Sequence, residues 1–164
     1  MVAILRATGP LVAGALAAAL LGGCGVDIPA DPDGTLEQVR SSGELRVGVS
    51  PFPPFTTLPD GPDGKPGGTE VELVEGFAEA QGAEVVYVLL GEEELVRMLE
   101  EGELDVVVGG LTSKTPWAAK VATTRPYATT EQDGRKVKHV MAAVRGENAL
   151  LVALERYLDE AAGR

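Results

Sequence analysis

The chain has little cysteine and little positive charge, and both shortages exclude classes of protein. Cys24 is the only cysteine among 164 residues, so no disulfide can form within the chain. Lysine and arginine number 14 against 25 acidic residues, which gives a formal net charge of -11. This charge argues against binding to nucleic acid and against electrostatic docking to anionic lipids.

No hydrophobic run reaches the roughly 20 residues that cross a membrane comfortably. The apolar run Leu11–Leu21 follows one positive charge, Arg6, and precedes small residues, which is the pattern of an export signal. The sequence Leu21-Gly22-Gly23-Cys24 resembles a bacterial lipobox. This resemblance implies a signal peptide at residues 1–23, cleavage before Cys24 and lipid attachment to Cys24. The alternative is a buried N-terminal helix with an incidental cysteine, which leaves the position of Cys24 unexplained.

The sequence offers few candidates for a catalytic or metal site. The one histidine, His139, falls on a predicted strand with no acid–base constellation around it, and is most simply an edge residue. The acidic run Glu92–Glu94 lacks a histidine or cysteine partner, so a helix start that matches the helix dipole is a simpler interpretation than a metal site. The sequence therefore predicts no enzyme, no cofactor and no metal.

Strands and helices alternate through the middle of the chain, which predicts right-handed βαβ crossovers and a mostly parallel sheet. The pair Asp133-Gly134 predicts a hairpin strand pair near the end. The predicted fold class is α/β, a single three-layer lobe. The predicted elements are a helix Thr35–Ser42 with Thr35 as N-cap, strand Leu45–Val49, helix Thr69–Gln81, strand Glu84–Leu90, a helix that starts at Gly91, strand Leu104–Val108, a short helix Pro116–Val121 with Thr115 as N-cap, an extended run Thr123–Thr130, a returning strand Val137–Arg145 and a last helix after Asn148.

The mature chain is long enough for one core. About 140 residues remain after cleavage, which is not comfortably enough for two domains. The Pro-, Asp- and Gly-rich run after the cysteine is typical of a flexible tether. The predicted organisation is therefore an anchored tether at residues 24–43 and one lobe at residues 44–162.

Two segments at strand ends offer a surface for a ligand. Gly109 and Gly110 end the third strand and lead into a polar turn at Thr112, an arrangement common at the ligand-facing edge of an α/β domain. The plainer interpretation, that the glycines only end the strand, stays open at this point. In the proline-rich loop after the first strand, Phe55 is expected to pack inward, whereas Phe52 either packs or forms a stacking surface.

Several segments in order resemble the family 3 extracellular solute-binding proteins. They are LRVGVSPFPPF, GGTEVELVEGFAEAQGAEVVYV, GELDVVVGGLT, TTRPYATT and HVMAAVRGENALLVALERYLDE. The resemblance covers Leu45 to Glu160 and implies a lipid-anchored or periplasmic component of an amino-acid ABC importer, with the periplasmic binding protein type II fold. It also implies that Phe52 stacks on the ligand, that Gly110 and Thr112 face it, and that Glu72 is an acidic helix-start residue.

Two departures from the family pattern limit this resemblance. Family members carry a second lobe between the PY-containing strand and the returning strand, and here that interval is only a turn near residues 131–136. Amino-acid binders of the family also carry an arginine that holds the ligand carboxylate as a bidentate fork. Trp117 occupies that position, and Lys114 nearby does not reproduce the fork. The predicted ligand-binding set is Phe52, Gly110, Thr112 and Trp117.

The sequence thus predicts an extracytoplasmic, membrane-anchored lipoprotein. It would bind a small polar solute such as an amino acid, for or alongside an ABC importer or another membrane protein. A lone lobe buries little ligand surface, so binding would be weak unless a second copy, as a homodimer, or a partner completes the site. The alternative is a non-transport protein-interaction module in which Phe52 and Trp117 anchor a partner.

Overall fold

The structure is a computed structural model that describes residues 31–59, 61 and 64–164. The predicted signal peptide, Cys24 and the first part of the predicted tether, up to residue 30, lie outside the described residues. No helix in the described part of the chain has the length and apolar character needed to cross a membrane.

The described residues form helices and strands close to those that the sequence predicts. In chain order they are α1 (Thr35–Ser42), β1 (Glu44–Val49), α2 (Thr69–Gln81), β2 (Glu84–Leu89), α3 (Glu92–Glu100), β3 (Val106–Val108), β4 (Ala122–Thr123), β5 (Ala128–Gln132), β6 (Arg135–His139), β7 (Ala142–Ala143) and α4 (Asn148–Ala161).

Five of these strands form one sheet in the order β2-β1-β3-β7-β4. β1 lies parallel to both β2 and β3, as the short strand–helix–strand links predict. β7 runs antiparallel to β3 and to β4. β5 and β6 form a separate two-stranded ribbon with Asp133-Gly134 at its tip. The predicted α/β class, with a mostly parallel sheet and a terminal hairpin, is confirmed.

Helices cover both faces of the sheet. On one face α1, α2 and α4 pack against alternate residues of β1, whose apolar side chains at Leu45, Val47 and Val49 are fully buried. On the other face α3 packs closely because β1 has Gly48 there. A Cβ at Gly48 would lie 2.8 Å from the Leu95 side chain.

The helix α1 belongs to the core on the face of α2 and α4, since Val39 is buried there. The packed structure therefore includes Thr35–Ser42 as well as the predicted lobe.

Local details differ from the sequence prediction where tertiary contacts decide them. Thr35 is the first helical residue rather than the N-cap, and Gly34 holds the cap position without a side-chain cap. The buried carboxylate of Glu147 accepts the Thr35 N–H at 3.1 Å instead. The segment Pro116–Val121 forms turns and not a regular helix, because the chain must enter β4 at Ala122 after a single closed turn.

Two strand predictions also need correction. The apolar residues of β2 would indicate a buried strand, but β2 lies at the sheet edge with Val86 and Leu89 exposed. The predicted returning strand Val137–Arg145 is two strands, since β6 ends at His139 and β7 begins at Ala142. The break lets the chain leave the ribbon and enter the main sheet.

Candidate functional site

The carboxyl ends of β1 and β3 bring two predicted site segments together. Val49 pairs with Val108 in parallel register, and the Ser50 N–H donates to the Val108 carbonyl at 3.0 Å. The segment that follows β1 and the segment Gly109–Thr112, which we call the lip, therefore start side by side. Ligands of open α/β sheets bind outside such carboxyl ends.

The loop that carries Phe52 is fixed by its own hydrogen bonds. The hydroxyl of buried Thr56 donates to the Ser50 carbonyl at 2.5 Å and accepts the Phe52 N–H at 2.8 Å. The Phe52 carbonyl accepts the N–H groups of Phe55 and Thr56 at 2.9 and 3.1 Å. The loop is thus ordered by internal contacts, which reduces the ordering cost of any ligand.

The two phenylalanines of this loop have different environments. Phe55 packs inward and stacks on the His139 ring with centroids 4.3 Å apart, as predicted. Phe52 keeps 38% of its surface exposed. Of the two roles that the sequence left open for Phe52, the structure therefore favours the exposed aromatic surface.

The Phe52 ring rests directly on Gly110 of the lip. A Cβ at Gly110 would lie 2.0 Å from Cδ1 of Phe52, and the residue has a left-handed backbone with φ of 67°. Both the close approach and the positive φ require glycine. Gly110 thus supports the aromatic ring and places it over the lip.

A buried carboxylate lies beneath the lip. Oε2 of Glu70 accepts the Gly109 N–H at 2.8 Å and the Gly110 N–H at 2.9 Å. Its Oε1 accepts the Tyr127 hydroxyl. Burial raises the pKa of Glu70 above its ordinary value, and the three hydrogen bonds oppose that shift.

The other side of the lip pairs with the end of β6. The Ser113 N–H donates to the Lys138 carbonyl and the Val140 N–H to the Leu111 carbonyl, both at 2.9 Å, so that Thr112 faces His139. His139 is fully buried and not an exposed edge residue. Its Nε2 lies 2.8 Å from the Thr130 hydroxyl. Burial lowers the pKa of His139 and the Gly110 backbone offsets part of this, which favours the neutral ring and a packing role.

Trp117 contacts α3. Its indole N–H donates to the Glu92 carboxylate in the first turn of that helix, and the Lys120 ammonium lies 5.9 Å from the ring centroid. The ring also packs against the apolar cluster around Leu95. Because α3 begins just after β2, these contacts keep Trp117 near the same edge of the sheet.

The predicted residues therefore divide into two groups. Phe52, Gly110 and Thr112 are brought together, whereas the contacts of Trp117 are with α3 and its own loop. Glu72, the acidic residue matched by resemblance, is exposed, and the buried acid is Glu70. Sequence reasoning missed Glu70 because two glutamates two positions apart point in different directions on a helix, and no local pattern shows which one is covered.

The arrangement suits non-covalent binding. The Phe52 face, the rigid lip and the half-buried Thr112 offer stacking, backbone and hydroxyl contacts. Within residues 31–59, 61 and 64–164, no group of three or more histidine, cysteine or acidic side chains could hold a metal ion.

The fold and this edge define one lobe of a solute-binding protein. The chain belongs to the bacterial extracellular solute-binding proteins, family 3, whose pattern it matches over residues 45–162. The resemblance that the sequence motifs indicated is thus confirmed.

Two curated relatives are similar over part of their length. The chain is 32% identical over 115 residues to the L-cystine-binding protein TcyJ of Escherichia coli (strain K12), an alignment that covers 70% of this chain and 42% of TcyJ. It is 36% identical over 97 residues to membrane-bound lytic murein transglycosylase F of Vibrio cholerae, which covers 57% of this chain and 17% of that protein. The chain spans less than half the length of these relatives.

A solved single domain is similar to almost all of the described lobe. The arginine-bound form of domain 1 from TmArgBP superposes with a TM-score of 0.67 at 27% identity, covering 75% of this chain and 97% of that domain. The fold of this protein is therefore lobe one of the periplasmic binding protein type II architecture.

Proposed function

We propose that this protein binds an amino acid outside the cytoplasm, at the edge formed by Phe52, Gly110, Thr112 and Trp117. The observation that carries the proposal is the exposed Phe52 ring, held on Gly110 at the carboxyl end of the sheet. A rigid aromatic face binds a flat or apolar ligand group at low conformational cost. Thr112 supplies a neighbouring hydroxyl group.

A cationic amino acid fits the charges of this edge better than a dicarboxylic one. The Glu92 carboxylate lies beside Trp117, in a chain with a net charge of -11. A guanidinium or ammonium over an aromatic face is stabilised by about 0.5–2 kcal/mol. The solved domain 1 from TmArgBP contains bound arginine, which supports the same ligand class here.

Binding by the lone lobe is expected to be weak. Good ligand sites bury most of the ligand, and an open edge does not. We expect an affinity on the order of millimolar for arginine. The hairpin at residues 131–136 stands where family members have a second lobe, so a second copy or a partner would have to supply the opposite wall.

A calorimetric titration with arginine, lysine, cystine and glutamate tests the proposal. We expect heat from arginine and lysine, and a loss of at least about tenfold in affinity in Phe52→Ala. Leu58→Ala is the matched control, because Leu58 lies in the same loop region with 48% of its surface exposed and outside the proposed site. Absence of binding by all four solutes at millimolar concentration would contradict the proposal.

We also propose that residues 1–23 are a lipoprotein signal peptide and that Cys24 carries the lipid anchor. The apolar run before Cys24 and the extracellular character of the family support this. The anchored protein would deliver its solute to an ABC permease, as the family resemblance implies. Cys24→Ser should move the protein from the membrane fraction to the soluble fraction, and an unchanged distribution would contradict lipid anchoring.

A protein-interaction role is the second candidate. The edge strand β2 exposes Val86 and Leu89, and Leu90 follows them. Exposed apolar residues on an unpaired strand edge are typical of surfaces that pair with another chain. Mass measurement in solution separates the candidates, since a stable complex that forms without solute and is lost in Val86→Lys favours the interaction role.

A further inference from the structure

One buried residue, Glu70, is hydrogen-bonded to three segments at or next to the proposed binding edge. The Glu70 backbone N–H donates to the Phe55 carbonyl at 2.9 Å, which ties α2 to the Phe52 loop. Its side chain accepts both lip N–H groups through Oε2 and the Tyr127 hydroxyl through Oε1. Three segments distant in sequence therefore converge on one residue.

Burial of the Glu70 carboxylate costs free energy, and its hydrogen bonds to the lip and to Tyr127 offset that cost. The residue is fully buried, and removal of a carboxylate from water disfavours its charged form. Its neighbour Glu72 lies in the same first helical turn and is exposed. A glutamate that only matched the helix dipole would be satisfied in the exposed position.

The hydrogen bonds of Glu70 have a direct effect on the lip. They occupy the N–H groups of Gly109 and Gly110, so these two donors are not available to a ligand. They also hold the left-handed turn at Gly110 on which the Phe52 ring rests. Loss of the carboxylate would free both N–H groups and remove the support of that turn.

We propose that Glu70 is the positioning residue of the binding edge, which fixes the lip beneath Phe52 and links it to Tyr127. The inference rests on the proposed function for the identity of the ligand. The hydrogen bonds that position the lip do not depend on that function. The hydrogen-bonded link between the lip and Tyr127 has a second branch, because the Tyr127 N–H donates to the His139 carbonyl at 3.1 Å and His139 faces Thr112 of the lip. Tyr127 directly precedes β5, so its hydrogen bond to Glu70 connects the lip to the base of the hairpin.

The test compares Glu70→Met with Glu72→Met in the purified protein, because methionine keeps the length of the side chain and removes both acceptor oxygens. Amide hydrogen exchange of Gly109 and Gly110, measured by NMR, reports on the lip without any ligand. We expect Glu70→Met to accelerate exchange at both amides about tenfold and to weaken arginine binding about tenfold. Glu72→Met should leave both unchanged.

The outcomes separate a positioning role from a merely structural one. If Glu70→Met lowers the melting temperature but leaves the Gly109 and Gly110 amides and arginine affinity as in Glu72→Met, the inference is overturned. If the wild-type protein binds no solute, the proposed function fails, and the amide exchange alone decides. Faster exchange in Glu70→Met then upholds the positioning of the lip, and unchanged exchange overturns it.

Discussion

The lip and the hairpin tip are two glycine turns with similar backbones and different surroundings. Gly110 has a φ of 67°, and Asp133 and Gly134 have φ values of 52° and 72°. At Gly110 a Cβ would meet the Phe52 ring at 2.0 Å, whereas at Gly134 nothing lies within 4 Å. The same local conformation is thus crowded at one turn and open at the other.

The difference shows which part of the molecule depends on tertiary contacts. The hairpin turn is formed by two adjacent residues and the strands that flank them. The lip turn is held by Glu70, which lies 40 residues from Gly110 in the chain. Binding would therefore depend on the assembled lobe at the lip, while the hairpin forms from local sequence.

Gly110→Ala should give the largest effect. The new Cβ must displace Phe52 and adopt a left-handed backbone, so we expect the free energy of unfolding to fall by about 2–4 kcal/mol. Urea denaturation measures this, and arginine titration should show loss of binding. If Gly110→Ala costs no more than Gly134→Ala, the lip turn does not depend on tertiary contacts more than the hairpin turn does.

Tyr127→Phe should have the next largest effect. It leaves Oε1 of buried Glu70 without its hydroxyl donor, which costs about 1–3 kcal/mol. Tyr87→Phe is the matched control, because its hydroxyl donates to Glu75 at 2.7 Å in an exposed site. Equal destabilisation of the two variants in urea would show that burial of Glu70 does not matter.

Gly134→Ala should cost less and leave binding intact. Only the left-handed backbone is penalised, by about 1–2 kcal/mol, because no atom crowds the new methyl group. Thermal unfolding and arginine titration measure the two effects. A loss of affinity in this variant would mean that the hairpin belongs to the site.

The smallest effect is a difference in pH dependence. Burial raises the folded-state pKa of Glu70 above its ordinary value of 4.5. The proton is therefore held more tightly in the folded state, and the contribution of Glu70 is complete below about pH 4.5 and is lost as pH rises through the raised pKa.

The measurement compares unfolding free energies from pH 4 to pH 7. Wild-type protein should lose stability relative to Glu70→Gln over this range, whereas the difference between wild type and Gly134→Ala should stay constant. A constant difference for Glu70→Gln as well would contradict the raised pKa.

The sequence predicts the regular elements well because their signals are local. The helix Thr69–Gln81 ends at Gly82 as predicted, and the Asp133-Gly134 tip is where the dipeptide places it. These assignments depend only on residues within one turn or one helical face. The α/β class follows from their order.

The rest of the site depends on contacts between distant residues. The sequence does not show that Glu70 and not Glu72 is buried, or that His139 stacks on Phe55. The predicted short helix Pro116–Val121 fails for the same reason, since the chain closes one turn at Trp117 and enters β4 at Ala122. Phe52, Gly110 and Thr112 stand out in the sequence because they follow strand ends, and the family resemblance assigns them to the ligand. Their ligand contacts stay a prediction.

The ribbon formed by β5 and β6 leaves the main sheet after β4 and returns at β7, which is the neighbour of β4. Its exposed tip therefore offers two chain ends about 5 Å apart, a separation set by strand pairing itself. A guest domain with adjacent termini, such as a fluorescent reporter, can be fused between Asp133 and Gly134 without a cut through the core.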